Sequence, residues 1–138
     1  MQRRPSRLSI LQTKRSFVVK AAGPAALTVS KLHKIQERLA QGKRERIDDK
    51  DALDVLRLLR ATSTAELARA FLLLLAANVA REVTSEALAF LEELFSNARG
   101  TGAQMAERAL EGLSPAGEIA ASCAILATDL LAAIAEKR

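Results

Sequence analysis

Tryptophan and tyrosine are absent from this 138-residue sequence, and four phenylalanines are all it has of aromatic rings. A core made without large rings must come from Leu, Ala, Ile and Val, a set that favours helices over sheets. There is one cysteine, Cys123. It cannot close an intramolecular disulfide, and the chain has no Cys-x-x-Cys or His/Cys cluster for zinc, so no metal ligands are assigned and a reducing, cytoplasmic setting is expected. Among Ala121, Ser122, Ala124 and Ile125, Cys123 reads as a small core residue rather than a nucleophile. No glycine-rich phosphate loop, metalloprotease helix, Ser/His/Asp arrangement or fixed-period repeat is present.

Long hydrophobic runs are missing as well. The apolar stretch Phe71 to Leu75 is bracketed by Arg69 and Arg81, too closely for the roughly 20 residues that a bilayer demands. Asp129 interrupts the last apolar segment, so no membrane span is expected. The start of the chain lacks the apolar run that follows the basic residues of a secretory signal. Acidic residues are absent from the first 20 positions.

What is there is one domain's worth of chain, 49% hydrophobic and 27% charged, long enough to bury a core. Its charge is lopsided: residues 1–50 hold 13 Lys/Arg against 4 Asp/Glu, residues 51–138 hold 8 against 12. A basic end of this kind attracts phosphates of a nucleotide, a nucleic acid or a membrane surface. Residues 1–46 are therefore the candidate nucleic-acid contact. No aromatics interleave with these basic residues, which argues against a platform for stacking single-stranded bases.

Residues 1–16, rich in Arg and Ser around Pro5, read as a flexible basic arm ahead of a single helical domain, 17–138. Phe17-Val18-Val19-Lys20 is a short extended segment closed by Ala22-Gly23-Pro24. Pro24 suits the first turn of a helix that runs to Ala40, with Leu27, Leu32, Ile35 and Leu39 expected on its buried face. Beside that stripe Lys31, Lys34 and Arg38 form a basic row, free to meet a polyphosphate or to pair with Glu37. His33 reads as a surface residue.

After a glycine-capped loop (Gln41 to Arg46), Asp48 or Asp49 is expected to cap a second helix with Leu53, Val55, Leu56 and Leu59 inward. Asp51 and Asp54 then fall in its first turn, where acids complement the helix dipole without any chemistry. Ser63 or Thr64 opens a third helix to about Arg81, apolar nearly all round and expected to be the central one. Thr84 or Ser85 caps a fourth through Phe95. A short fifth runs from Gly102 to Glu111, and Ser114-Pro115 opens a sixth with Ile119, Leu126, Leu130 and Ile134 on one face. The fold class expected is all-α, a bundle of about six helices.

Lys31-Leu32, followed some twenty residues on by Lys50-Asp51-Ala52-Leu53-Asp54, resembles the carboxy-terminal motifs of bacterial nucleotidyltransferase-like proteins, including the abortive-infection (AbiEii-type) toxin family. Ala22-Gly23-Pro24-Ala25-Ala26-Leu27 is similar to the strand-to-helix entry of relatives of that group. The resemblance spans residues 18–60. It implies that Lys31, with Lys34 and Lys50, binds the nucleotide, Lys31 at its phosphates and Lys50 where an Arg is usual, and that Asp51 and Asp54 are the catalytic residues that order the site. It also implies a sheet that carries a Gly-Ser loop and an Asp-x-Asp pair for a nucleoside triphosphate and Mg2+. This chain has neither motif, and phosphoryl transfer through two metal ions needs such carboxylates. The expectation is thus a nucleotidyltransferase-like chain whose catalytic half is missing, supplied by another chain or lost, inactive alone and holding no cofactor by itself. Two other readings stand beside it: a small basic nucleic-acid-binding protein, and a helical module that gives strand 17–20 to a partner's sheet.

Overall fold

The computed structural model describes residues 23–42 and 46–138; the basic arm and the extended segment 17–20 lie outside the described residues. Six α-helices make up the described chain: α1 (Pro24–Ala40), α2 (Arg46–Ala61), α3 (Thr64–Ala76), α4 (Arg81–Phe95), α5 (Thr101–Ala109) and α6 (Glu118–Glu136). The all-α bundle is as expected.

Pro24 occupies the start of α1, where its missing N–H costs nothing. At the other end Gly42 takes the left-handed backbone (φ 73°) that favours glycine, and its N–H donates to Leu39 O at 3.0 Å. The buried face of α1 is Ala25, Thr28, Val29, Leu32 and Ile35, and Leu27 is 48% exposed, against the expected stripe. The physical reason is rotation: five residues from Leu27 to Leu32 turn the helix by about 140° past a full turn, so the two leucines cannot share a face.

Helix α2 begins at Arg46, which puts Asp48 and Asp49 in its first turn instead of at its cap and moves Asp51 and Asp54 into its interior. Leu53, Val55, Leu56 and Leu59 are all buried, as their spacing requires. Ser63 caps α3, its hydroxyl accepting from the Glu66 N–H at 3.2 Å. The helix stops at Ala76, short of Arg81, because Arg81 folds back: its Nε donates to Leu75 O at 3.0 Å and its guanidinium to Asn78 Oδ1 at 3.1 Å. Helix α4 therefore opens at Arg81, and Thr84, expected as a cap, is fully buried inside it.

Two helices each pack on four others, α6 on α2, α3, α4 and α5, and α4 on α1, α3, α5 and α6; α3, expected at the centre, leaves Leu73 62% exposed. Ile119, Cys123, Ala127, Leu130 and Ile134 form the buried stripe of α6. By length and composition alone α6 is apolar enough to cross a bilayer, yet this stripe is the seam of a bundle, and one such helix is weak grounds for a span. Its start is set by tertiary contact. The Glu107 carboxylate on α5 accepts from the Ala120 N–H at 3.1 Å and so caps a helix that has no cap of its own. Glu107→Ala should cost about 1 kcal/mol by this loss, read as a shift of the denaturation midpoint.

Burial pushes the Cys123 thiol up to about 11. At neutral pH it should stay unreacted with an aromatic disulfide reagent in the native protein and titrate fully in denaturant, because the thiolate is the nucleophile. Rapid labelling of the native protein would contradict its place in the core.

Candidate functional site

Helices α1 and α2 lie side by side and antiparallel, and the basic row of one meets an acidic row of the other. Lys31 Nζ stands 3.0 Å from Asp51 Oδ1 and 3.2 Å from Asp54 Oδ2. Lys34 Nζ is 3.1 Å from Asp51 Oδ2. At the far end Arg38 Nε lies 3.8 Å from Asp48 Oδ1, and Arg57 approaches Asp54 Oδ1 at 3.6 Å. As residue number rises along α1 through 31, 34 and 38, its partners fall along α2 through 54, 51 and 48. The helical period makes this register possible, because positions three or four apart return to the same face.

The structure thus brings together four of the five residues singled out in the sequence. Lys50 is the exception: it is exposed and lines a groove with Asp49, Arg108, Ala109 and Glu111. Lys34 and Arg38 pair with acids of α2, instead of with Glu37.

Burial within the cluster is graded. The Asp51 side chain is 8% exposed, Lys31 26%, Asp54 38% and Lys34 47%. Burial alone pushes the Asp51 carboxyl up, but hydrogen bonds from Lys31 and Lys34 outweigh it and hold the carboxyl below its usual range. The hydrogen bond to Asp51 raises the Lys31 ammonium above its ordinary value, with desolvation opposing and Asp54 adding to the rise. The arrangement fixes two ammonium groups at the edge of the solvent and leaves Lys34 the more open of the two.

A magnesium site does not fit these carboxylates. Each oxygen of Asp51 is already met by a lysine, and those of Asp54 by Lys31 and Arg57. A divalent ion would have to displace charge-assisted bonds from both. Among the described residues no group of three His, Cys, Asp or Glu side chains is placed to hold a metal ion.

His33, expected at the surface, is half-buried and joins α1 to α4. Its Nε2 lies 2.7 Å from Val83 O and its ring meets Phe90 edge-on, with centroids 5.2 Å apart. A carbonyl can only accept, so Nε2 carries the proton and that nitrogen is not available as a base. Two further features gave no sequence signal. Asp48 is almost completely buried, and Arg108 on α5 grips Asp49 on α2 with Nη2–Oδ1 at 3.1 Å and Nε–Oδ2 at 3.4 Å. Residues 59 apart in sequence have no local period to announce their pairing.

No family model matches the chain, and no curated protein or solved structure matches it either.

Proposed function

We propose that this chain is the helical part of a nucleotidyltransferase-like protein, in which Lys31 and Lys34 meet the phosphates of a nucleoside triphosphate held by Mg2+ and carboxylates from outside the chain. The observation that carries this reading is the convergence of Lys31 on Asp51 and Asp54, the residues that the motif resemblance pairs. Asp51 and Asp54 act as positioning residues: they pin the ammonium groups, lower the entropy lost on meeting a phosphate and favour the charged form of Lys31. Lys50 has no part in this face. The cluster carries four cationic side chains against three carboxylates, so its residual charge is a single positive one. That weak excess suits one docked phosphate group better than the long backbone of a nucleic acid, which needs many uncompensated cations. In this reading the protein works in the cytoplasm with a partner that supplies the catalytic carboxylates.

The test begins with the coding DNA adjoining this gene. A segment encoding a Gly-Ser loop and an Asp-x-Asp pair is expected there. Co-expressed with this chain, it should transfer labelled nucleotide in Mg2+, and Lys31→Ala should slow the transfer about 100-fold by removing a phosphate contact. Absence of any such segment, together with no nucleotide binding by the chain in millimolar Mg2+ and nucleotide, would reject the proposal.

A further inference from the structure

On the other side of α2 from the lysine cluster, a cleft of about 170 Å³ is lined by Leu39, Asp49, Arg99, Thr101, Gln104, Met105 and Arg108. It shares Asp49 and Arg108 with the longer groove that holds Lys50, Ala109 and Glu111. We infer that this compound cleft is a binding site for a small phosphomonoester, with the phosphoryl group between Arg99 and Arg108 and the rest of the molecule along the groove.

Three observations lead there. Arg99 is exposed and its guanidinium enters no ion pair among the described residues, so a surface cation is left at the mouth of a concave site. Arg108 is fixed rather than free: its two bonds to Asp49 use Nε and Nη2 and hold the guanidinium plane. An arginine has five N–H donors, so about three remain for a ligand in that fixed orientation. Thr101 adds a hydroxyl, whereas the Gln104 amide already donates to Ala98 O at 2.6 Å and closes the wall.

Size and charge then narrow the class. The cleft itself is well below the roughly 300 Å³ of an ordinary small-molecule pocket and takes an anionic head group, while the adjoining groove of about 490 Å³ takes the rest of the molecule. A carboxylate offers two oxygens and is satisfied by a single guanidinium fork. Donors from three side chains match the three terminal oxygens of a phosphomonoester better. Leu39 and Met105 give the cleft an apolar wall, and Lys50 with Glu111 gives the groove polar partners for an alcohol-bearing remainder. This site is independent of the lysine cluster, which uses Asp51 and Asp54 on another face of α2.

Amide chemical shifts of the full chain, titrated with inorganic phosphate and separately with ribose 5-phosphate, test the assignment. Saturable shifts are expected around Thr101 to Arg108 with both probes, tighter for the ester. Arg99→Ala should weaken both by about 10-fold or more, since a charge-assisted hydrogen bond is removed. Arg99→Lys should restore part of the loss. The Arg99 guanidinium has no partner among the described residues, and the hydrogen bond from Arg99 to Asn97 Oδ1 comes from its backbone N–H, so the thermal midpoint of Arg99→Ala should be unchanged and misfolding does not confound the result. Equal affinity for both probes would assign the site to the free anion instead of an ester. No saturable shift up to tens of millimolar probe, or shifts that persist undiminished in Arg99→Ala, would overturn the inference.

Discussion

Asp51→Ala should lower the stability of this protein by about 2 kcal/mol, more than the loss of its neighbour Asp54. Its carboxylate is 8% exposed and binds two ammonium groups, at 3.0 and 3.1 Å. Loss of a buried partner usually costs more. Here both lysines can turn towards water, and Lys31 keeps Asp54, so the penalty is reduced. Asp54→Ala should cost less than about 1 kcal/mol, because its side chain is 38% exposed and solvent screens its pairs. Urea denaturation at neutral pH with unchanged m-values would check the order. An Asp54 variant as unstable as the Asp51 variant would contradict the burial gradient.

The same pair sets a pH window. Asp51 has a lowered folded pKa, so its contribution is complete above its unfolded value of 3.8 and is lost as pH falls through the folded one. Lys31 has a raised folded pKa, so its contribution is complete below 10.5 and is lost as pH rises beyond the folded value. The cluster should therefore stabilise evenly between these limits. In Asp51→Ala the acid limb of the stability profile should flatten relative to the parent protein.

Gly102→Val should cost about 3 kcal/mol, at the upper end of what overpacking a core does. Gly102 sits in the first turn of α5 with an ordinary helical backbone, so the constraint is packing. A Cβ there would lie 2.7 Å from two ring carbons of Phe95 and 2.9 Å from Leu94 O. Phe95 is completely buried and has nowhere to retreat. Gly102→Ala meets the same contacts with one carbon, and the helix propensity it gains, up to about 1 kcal/mol, offsets part of the clash. Thermal melts of the two variants should rank Val below Ala below the parent. Phe95→Leu in the Gly102→Ala background should recover stability, as expected when both changes act on one space. Without such recovery the loss would have another source.

The order of the helices and most of their inward positions were legible because a helix reports its buried face locally, at three- and four-residue intervals. Leu53, Leu56 and Leu59 lie inward for that reason. The departures have two causes. Leu27 stands five residues from Leu32, off the helical period, and α2, α4 and α6 start elsewhere than at the residues that cap well in isolation. Side chains from outside the helix decide two boundaries: Arg81 returning to Leu75 ends α3, and Glu107 reaching Ala120 starts α6.

For the cluster the division is sharper. Residue order alone fixes the basic row of Lys31, Lys34 and Arg38 and the acids Asp51 and Asp54, since each set repeats within one helix. It could not determine that the rows oppose each other. That depends on the antiparallel register of α1 and α2, fixed by the burial of Leu32, Ile35, Val55 and Leu56 in a common core. It also gave no means of separating Lys50 from Asp51, adjacent residues that a rotation of about 100° sends to different faces. Packing settles which of the two enters the cluster, because the energy that orients α2 is the apolar area it buries, and the charged residues take whatever direction that burial leaves them.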